Sequence, residues 1–293
     1  MSVAHQPGRC KSADVELSYR RVNRGQSPIF GYAEYRALTP ILFVHGLSYF
    51  SWDWLETAAA LQGDCVCLDM RGFGDSAWAK DYSVPAMAGD LGAVMDHLGW
   101  EKAAVVGHSM GGRNSAYFAA KNPQRVSGLV LVDYSPENAP AGSRRVATSV
   151  AGVPDVFATV DEAMAYFKAG PEKRARYEAY LKPVPGGYAI KRDTHFRDQF
   201  RKALATGERA KLGVDMWQVL GELRMPTLVL RGARSDMFAP ETAEKVKAAN
   251  PRIRLAQVEG GHNLAVDNLP GFLGAVRPFI ASFQETNHAH ARH

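Results

Sequence analysis

Five short runs in this chain lack the polar alternation of a half-solvated strand. They are Ile41-Leu42-Phe43-Val44, Val66-Cys67-Leu68, Ala104-Val105-Val106, Leu129-Val130-Leu131-Val132 and Leu228-Val229-Leu230. Strands apolar on both sides must be covered on both sides, which is the condition of a parallel sheet between two helix layers. Helical spacing fills the intervals and predicts helices over about 52–62, 85–98, 111–121 and 240–249, with a closing helix over about 269–284. This alternation predicts a doubly wound sheet whose ligand site lies at the carboxyl ends of its strands.

The alternation stops between Tyr134 and Arg224, where helical periodicity, many charges and scattered aromatics replace the apolar runs. Pro171, Pro183, Pro185, Gly186 and Gly187 punctuate that stretch into four or five expected helices. Because an apolar run returns at Thr227, the stretch is an insertion: a helical cap over 134–224, with a core made of 1–133 and 225–293. At the other end, Val15 to Arg36 reads as two antiparallel strands joined by the turn-rich Asn23–Pro28. Met1–Ser12 is polar, is expected to fray and is no secretory signal. Asn287–His293 is expected to be a loose polar tail rather than a metal site.

Composition narrows the function classes. The 293 residues, 46% of them apolar, suffice for one large α/β domain with an insertion. A net charge of +5, not gathered into basic runs, gives no reason to expect nucleic acid as a partner. No window holds the roughly 18 apolar residues of a membrane span. Cys10, Cys65 and Cys67 cannot form a paired framework, and the last two share one face of a strand, as small buried residues of a reducing cytoplasm would. The expected partner is a small-molecule substrate, with no membrane, no metal and no cofactor; a homodimer is left open.

Chemistry enters with Gly107-His108-Ser109-Met110-Gly111-Gly112, which follows an apolar strand and opens a helix. In a G-x-S-x-G strand–turn–helix, the serine is lifted onto a strained elbow with its hydroxyl exposed. Such a hydroxyl needs a base oriented by an acid. His262, in Gly260-Gly261-His262-Asn263 after the run Ile253–Val258, falls on the same rim and is the candidate base. Two acids are open: Asp133, which ends the run Leu129–Val132, and Asp236, which follows Thr227–Arg231. An acyl-transfer site also needs two donors for an oxyanion. The amide of Met110 is one candidate, and the amide of Leu47, in His45-Gly46-Leu47-Ser48, is the other.

These marks, with Asp69-x-Arg71-Gly72-x-Gly74-x-Ser76 between them, resemble the α/β-hydrolase fold superfamily over nearly the whole chain. The resemblance implies an α/β-hydrolase fold: an eight-stranded, mostly parallel sheet with helices on both faces and a helical cap inserted after the sixth strand. It implies that Asp69, Arg71 and Gly74 hold a loop together. Most of the superfamily places the acid after the seventh strand, at Asp236. However, Gly-His-Ser-Met-Gly-Gly with a later Val-Asp-x-Ser-Pro is similar to a subgroup of small bacterial esterases and amide hydrolases. There the aspartate after the sixth strand serves, which favours Asp133, and Ser235 matches that subgroup's seventh-strand serine. The run Arg113-Asn114-Ser115 resembles the (E)-2-(acetamidomethylene)succinate hydrolases, in which an arginine near the elbow would meet a substrate carboxylate.

The expected reaction is therefore serine hydrolysis of a carboxylic ester, lactone or amide of a small, partly apolar substrate, carboxylate-bearing if Arg113 serves it. Tyr49, Trp52, Tyr134 and Trp217 are candidate substrate contacts, and Arg144, Arg145, Arg192 and Arg197 either favour an acidic substrate or line solvated helix faces. Carbon–carbon hydrolases of ring-cleavage products and cofactor-free perhydrolases share a serine elbow and remain alternatives, as does a catalytically idle ligand-binding relative.

Overall fold

A computed structural model describes residues 3–22, 38–61, 63–208 and 211–290. The main sheet is built from β1 (Gln6–Ser12), β2 (Val15–Val22), β3 (Ile41–Val44), β4 (Cys65–Asp69), β5 (Ala103–His108), β6 (Val126–Val132), β9 (Thr227–Gly232) and β10 (Arg254–Val258). These eight strands lie in the order β1-β2-β4-β3-β5-β6-β9-β10. β2 is antiparallel to both its neighbours. Every other adjacent pair is parallel.

Alternate residues of the apolar runs go to opposite layers. Leu42, Val44, Leu68, Val105, Leu131 and Val229 pack on one side. The helices there are α2 (Val84–His97), α3 (Met110–Lys121), α8 (Met216–Glu222) and α9 (Pro240–Ala249). Phe43, Cys65, Cys67, Val106, Val130 and Leu230 pack on the other side, against α1 (Leu55–Ala60), α10 (Leu264–Asp267) and α11 (Leu269–His290). Both thiols of β4 are buried, and burial pushes each well above its ordinary value. Full burial of each such Leu, Val or Phe is worth roughly 1.5–3 kcal/mol, so the runs identified by sequence are the main source of the core.

Two terminal expectations are corrected. Gln6–Ser12 does not fray: it is the edge strand, joined to β2 through a turn in which Ala13 has φ 50°. Only Cys10 and Ser12 of this strand are buried, so its pattern was too thin to read. The second strand expected after Asn23 falls on residues 23–37, outside those described. At the other end α11 continues to His290, beyond its expected limit, so the loose tail expected from Asn287 is helical as far as the described residues go. Among the described residues no helix is long and apolar enough to cross a membrane.

Between β6 and β9 the chain forms α4 (Pro140–Ala151), α5 (Val160–Tyr166), α6 (Arg174–Tyr180), a hairpin of β7 (Leu181–Val184) and β8 (Gly187–Ile190), α7 (Thr194–Thr206) and α8. The hairpin corrects the reading of Pro183–Gly187 as helix punctuation: Pro185 and Gly186 make its turn, where Gly186 has φ 86°. Phe157, Met164, Tyr177, Tyr180 and Leu181 form a small core of their own, closed from below by Phe50. By contrast, Val219 and Leu220 of α8 share the apolar cluster of Phe118 in the sheet's own helix layer.

Residues 191–193 fasten this segment to the loop after β4. Gly74 donates its amide to the Lys191 carbonyl at 2.7 Å, and Asp193 donates to the Gly72 carbonyl at 2.7 Å. The Tyr82 hydroxyl donates to Asp193 at 2.5 Å. Lys191 pairs with Asp75 at 2.6 Å. Asp69, fully buried, organises the same loop by accepting the amides of Ser51 and Asp75.

Candidate active site

The chain leaves β5 at His108 and enters α3 at Met110, so the turn between them is a single residue. Ser109 takes φ 51° and ψ −115°. That conformation costs a residue with a side chain about 1–3 kcal/mol and persists only where the surroundings enforce it. Here the Ser109 amide donates to Val132 O at 3.0 Å and its carbonyl accepts from the Arg113 amide at 3.0 Å. The helix can come this close to the sheet because Gly111 has no side chain. A Cβ there would stand 2.3 Å from the Val44 carbonyl.

His262 arrives on the loop after β10. That loop crosses directly over Gly232, where a Cβ would meet the Gly261 carbonyl at 2.2 Å. The Gly261 amide is anchored to Asp267 at 2.8 Å. From this seat His262 Nε2 stands 3.0 Å from Ser109 Oγ. On the other side of the ring, Nδ1 stands 2.7 Å from Asp133 Oδ2. Because the carboxylate can only accept, Nδ1 carries the proton and Nε2 presents its lone pair to the serine hydroxyl.

Asp133 follows the last residue of β6 and is 2% exposed, with φ 46°. Its charge is met by three donors. Besides His262, Gly232 N donates to Oδ1 at 2.8 Å and Ser235 Oγ donates to Oδ2 at 2.5 Å. Asp236 lies elsewhere: its partly exposed carboxylate is gripped by both forks of Arg145, at 2.5 and 2.7 Å. The Arg145 guanidinium holds the Asp236 carboxyl below its ordinary value.

Around the serine the loop after β3 closes in. A Cβ on Gly46 would stand 3.3 Å from Ser109 Cβ. The amides of Leu47, which follows Gly46, and of Met110, which follows the serine, have no hydrogen-bond acceptor among the described residues. His45 fixes the loop from beneath: Met70 N donates to its Nε2 at 3.0 Å and Nδ1 donates to the Gly46 carbonyl at 2.8 Å. Burial pushes the His45 imidazole below its ordinary pKa, as that neutral tautomer requires. Tyr49 packs edge-on against His108, and burial pushes its hydroxyl up to about 12.

The remaining candidates are spread more widely. Tyr134 packs over Gly112, and its buried hydroxyl has no partner among the described residues. Arg113 reaches towards α2, where Nη2 contacts Met87 Sδ at 3.8 Å and Nε donates to Asn114 at 3.1 Å. It has no carboxylate partner among the described residues, and burial depresses its pKa. Trp52 is not gathered with the serine, since its ring contacts are His5 and Arg20. Trp217 lies in α8 against the helix-layer cluster. Of the four arginines, Arg145 and Arg197 are paired with aspartates and Arg144 is exposed, whereas Arg192 is buried.

Sequence reasoning passed over His108, which is 2% exposed and donates Nε2–H to the His262 carbonyl at 2.8 Å. Its position beside the elbow serine was visible in the sequence, but not its reach across 154 residues to the loop of His262.

Comparison with known proteins agrees with this architecture. A family model described as alpha/beta hydrolase fold matches residues 39–269. The chain is 32% identical over 245 residues to the 3-hydroxybutyrate-oligomer hydrolase of Cupriavidus necator, spanning 76% of this chain and 82% of that protein. It is 27% identical over 233 residues to the N-formylmaleamate deformylase of Pseudomonas putida, spanning 78% of this chain and 83% of that protein. Among solved structures, E-2-(acetamidomethylene)succinate hydrolase superposes with a TM-score of 0.80 at 22% identity, over 95% of this chain and 100% of that one. Two of these relatives are hydrolases by name and one is a deformylase, and the chain belongs to the alpha/beta hydrolase fold family.

Proposed function

We propose that this protein is a serine hydrolase that cleaves a carboxylic ester, lactone or amide of a small, partly apolar substrate through an acyl-enzyme. The observation that carries the reading is the continuous hydrogen-bonded line from Ser109 Oγ through the His262 ring to Asp133. Ser109 attacks the carbonyl while His262 Nε2 takes its proton. Asp133 keeps the other nitrogen protonated and offsets the charge that forms on the ring. The amides of Leu47 and Met110 receive the oxyanion. The proton then passes from His262 to the leaving group, and water, activated by the same histidine, cleaves the acyl-enzyme.

Each donor to the oxyanion is worth about 10²–10³ in kcat in enzymes of this kind. Of residues 134–224, α4–α7 and the β7–β8 hairpin act as a cap above the strand ends, whereas α8 belongs to the helix layer of the sheet. Arg113 and Tyr134, just beyond the elbow and the acid, are assigned to polar contact with the substrate. The test combines a fluorophosphonate probe with a panel of p-nitrophenyl esters. The expected outcome is a covalent adduct on Ser109 and loss of at least about 10³-fold in kcat in Ser109→Ala. Equal rates in variant and parent would overturn the proposal.

A further inference from the structure

The turn that carries the Leu47 amide is held from two directions. From within, Tyr49 donates its amide to the Gly46 carbonyl at 3.1 Å, and Asp53 donates its amide to the Phe50 carbonyl at 3.1 Å. Phe50 lies between them with an extended backbone, and its amide donates to Asp53 Oδ2 at 3.1 Å. The shape of the turn therefore depends on where the Asp53 carboxylate points.

From outside, α6 sets that direction. Arg176 donates Nε–H to Asp53 Oδ1 at 2.6 Å and Nη2–H to Oδ2 at 3.0 Å. The two side chains are only 16% and 10% exposed. A planar fork fixes the plane of the carboxylate it meets, which a point charge does not. The guanidinium is in turn enclosed by the rings of Phe50, Tyr177 and Tyr180, at 5.4, 5.2 and 5.0 Å. The Phe50 ring itself rests 5.1 Å from that of Tyr180. So α6 holds Phe50 twice, by its ring and, through Asp53, by its amide. Arg174, two residues earlier, offers a contrast: it is exposed and pairs with Asp161 and Glu178 of its own segment.

Asp53 in turn stands close behind the elbow. With Gly46, Tyr49, His108 and Asn263 it lines a common cavity of about 10 Å³, at the lower limit of the space one water needs. The turn has little room to shift without moving its neighbours, and Gly46 abuts Ser109. We propose that Arg176 is a positioning residue: through Asp53 it holds residues 46–50 in the shape that presents the Leu47 amide to the oxyanion. Given the serine-hydrolase reading, on which this rests, turnover then requires α6 to be seated.

The test measures kcat and KM for p-nitrophenyl butyrate and its thiono analogue in the parent, Arg176→Gln, Arg176→Lys, Asp53→Asn and Arg174→Gln. Arg176→Gln is expected to lower kcat about tenfold to a hundredfold, less than outright removal of an oxyanion donor, with KM within about twofold. Arg176→Lys should fall between, and Asp53→Asn should match Arg176→Gln. The double variant should be no worse than either single one, as for residues acting in one chain. Sulfur accepts hydrogen bonds weakly, so the preference for the oxygen ester over the thionoester should narrow in Arg176→Gln. A merely structural role would slow both esters together and leave that preference intact, which overturns the proposal. So does a kcat within about threefold of the parent in Arg176→Gln, a rise in KM alone, or an equal loss in Arg174→Gln. If Arg176→Gln does not fold, Arg176→Lys carries the same readings. Hydrogen exchange supplies an arm that needs no turnover: the amides of Tyr49, Phe50 and Asp53 should exchange faster in Arg176→Gln and not in Arg174→Gln. Unchanged exchange there overturns the proposal. If the parent labels no serine and cleaves no ester, the hydrolase reading falls, while exchange still decides whether Arg176 holds the turn.

Discussion

His108 donates its Nε2–H to the main-chain carbonyl of His262 at 2.8 Å, so a histidine of the elbow holds the loop of the proposed base. The bond requires a proton on His108 Nε2, so in the neutral ring Nδ1 carries none. Burial, and to a lesser degree the neighbouring His262, push its pKa well below the ordinary 6.5, and burial likewise lowers His45.

The sign of the pH dependence follows. Above pH 6.5 both rings are neutral whether folded or unfolded, and neither affects stability. Below it the unfolded chain takes up protons that the folded chain refuses, so stability falls with pH until the depressed folded values are reached. Each ring should cost about 1.4 kcal/mol per pH unit in that window. His108→Gln keeps a donor in the place of Nε2 and removes the titration. Denaturant melts between pH 7 and 5 should show its acid limb shallower by about one proton. An unchanged limb would count against a neutral buried His108.

The two acids separate cleanly by mutation. Asp133→Asn keeps the shape but cannot hold His262 in the required tautomer, and kcat should fall about 10³–10⁴-fold. Asp236→Asn breaks only a partly exposed pair with Arg145, worth at most about 1 kcal/mol of stability. Its kcat should change less than about threefold. Steady-state kinetics of the two variants on one ester decide the matter, and the reverse pattern would reassign the acid.

Ser235→Ala removes the hydroxyl that donates to Asp133 at 2.5 Å and accepts the amides of Met237 and Phe238. The aspartate then loses one of its three donors and orients His262 less firmly. A fall of about tenfold in kcat with little change in KM is expected, together with a loss of about 1–3 kcal/mol in stability. Equal effects on kcat and KM would point instead to a displaced loop.

Asp90 is fully buried and accepts from Ser12 Oγ at 2.6 Å as well as from Arg71. Its removal strands a buried guanidinium, so Asp90→Ala should cost about 3–5 kcal/mol. Chemical denaturation should show that loss, and the double replacement Asp90→Leu with Arg71→Met should recover part of it.

What the sequence made legible was set by backbone geometry. The elbow at Ser109, the glycine-flanked His262 and the five apolar runs each have a local cause, and each was readable without coordinates. Asp133 over Asp236 had no such local cause and was favoured only through the resemblance to the esterase subgroup: both follow β-strands, and the difference lies in which carboxylate Gly232 and Ser235 face across the sheet. β1 escaped notice because an edge strand with two buried side chains carries almost no pattern. The β7–β8 hairpin escaped because the same prolines and glycines that stop helices also make turns. Arg192 differs from Arg197 only by its surroundings, which no window of residues around either one contains.

The fastening of residues 191–193 to the loop after β4 has an implication for how such a protein diversifies. Two of its four bonds join main chain to main chain, Gly74 to Lys191 and Asp193 to Gly72, and side-chain replacement does not delete them. Mutation can therefore rewrite the surfaces of α4–α7 while residues 191–193 keep their seat. On the proposed reading of this segment as a cap, new substrate preferences can be sampled there one substitution at a time, with the main sheet left undisturbed.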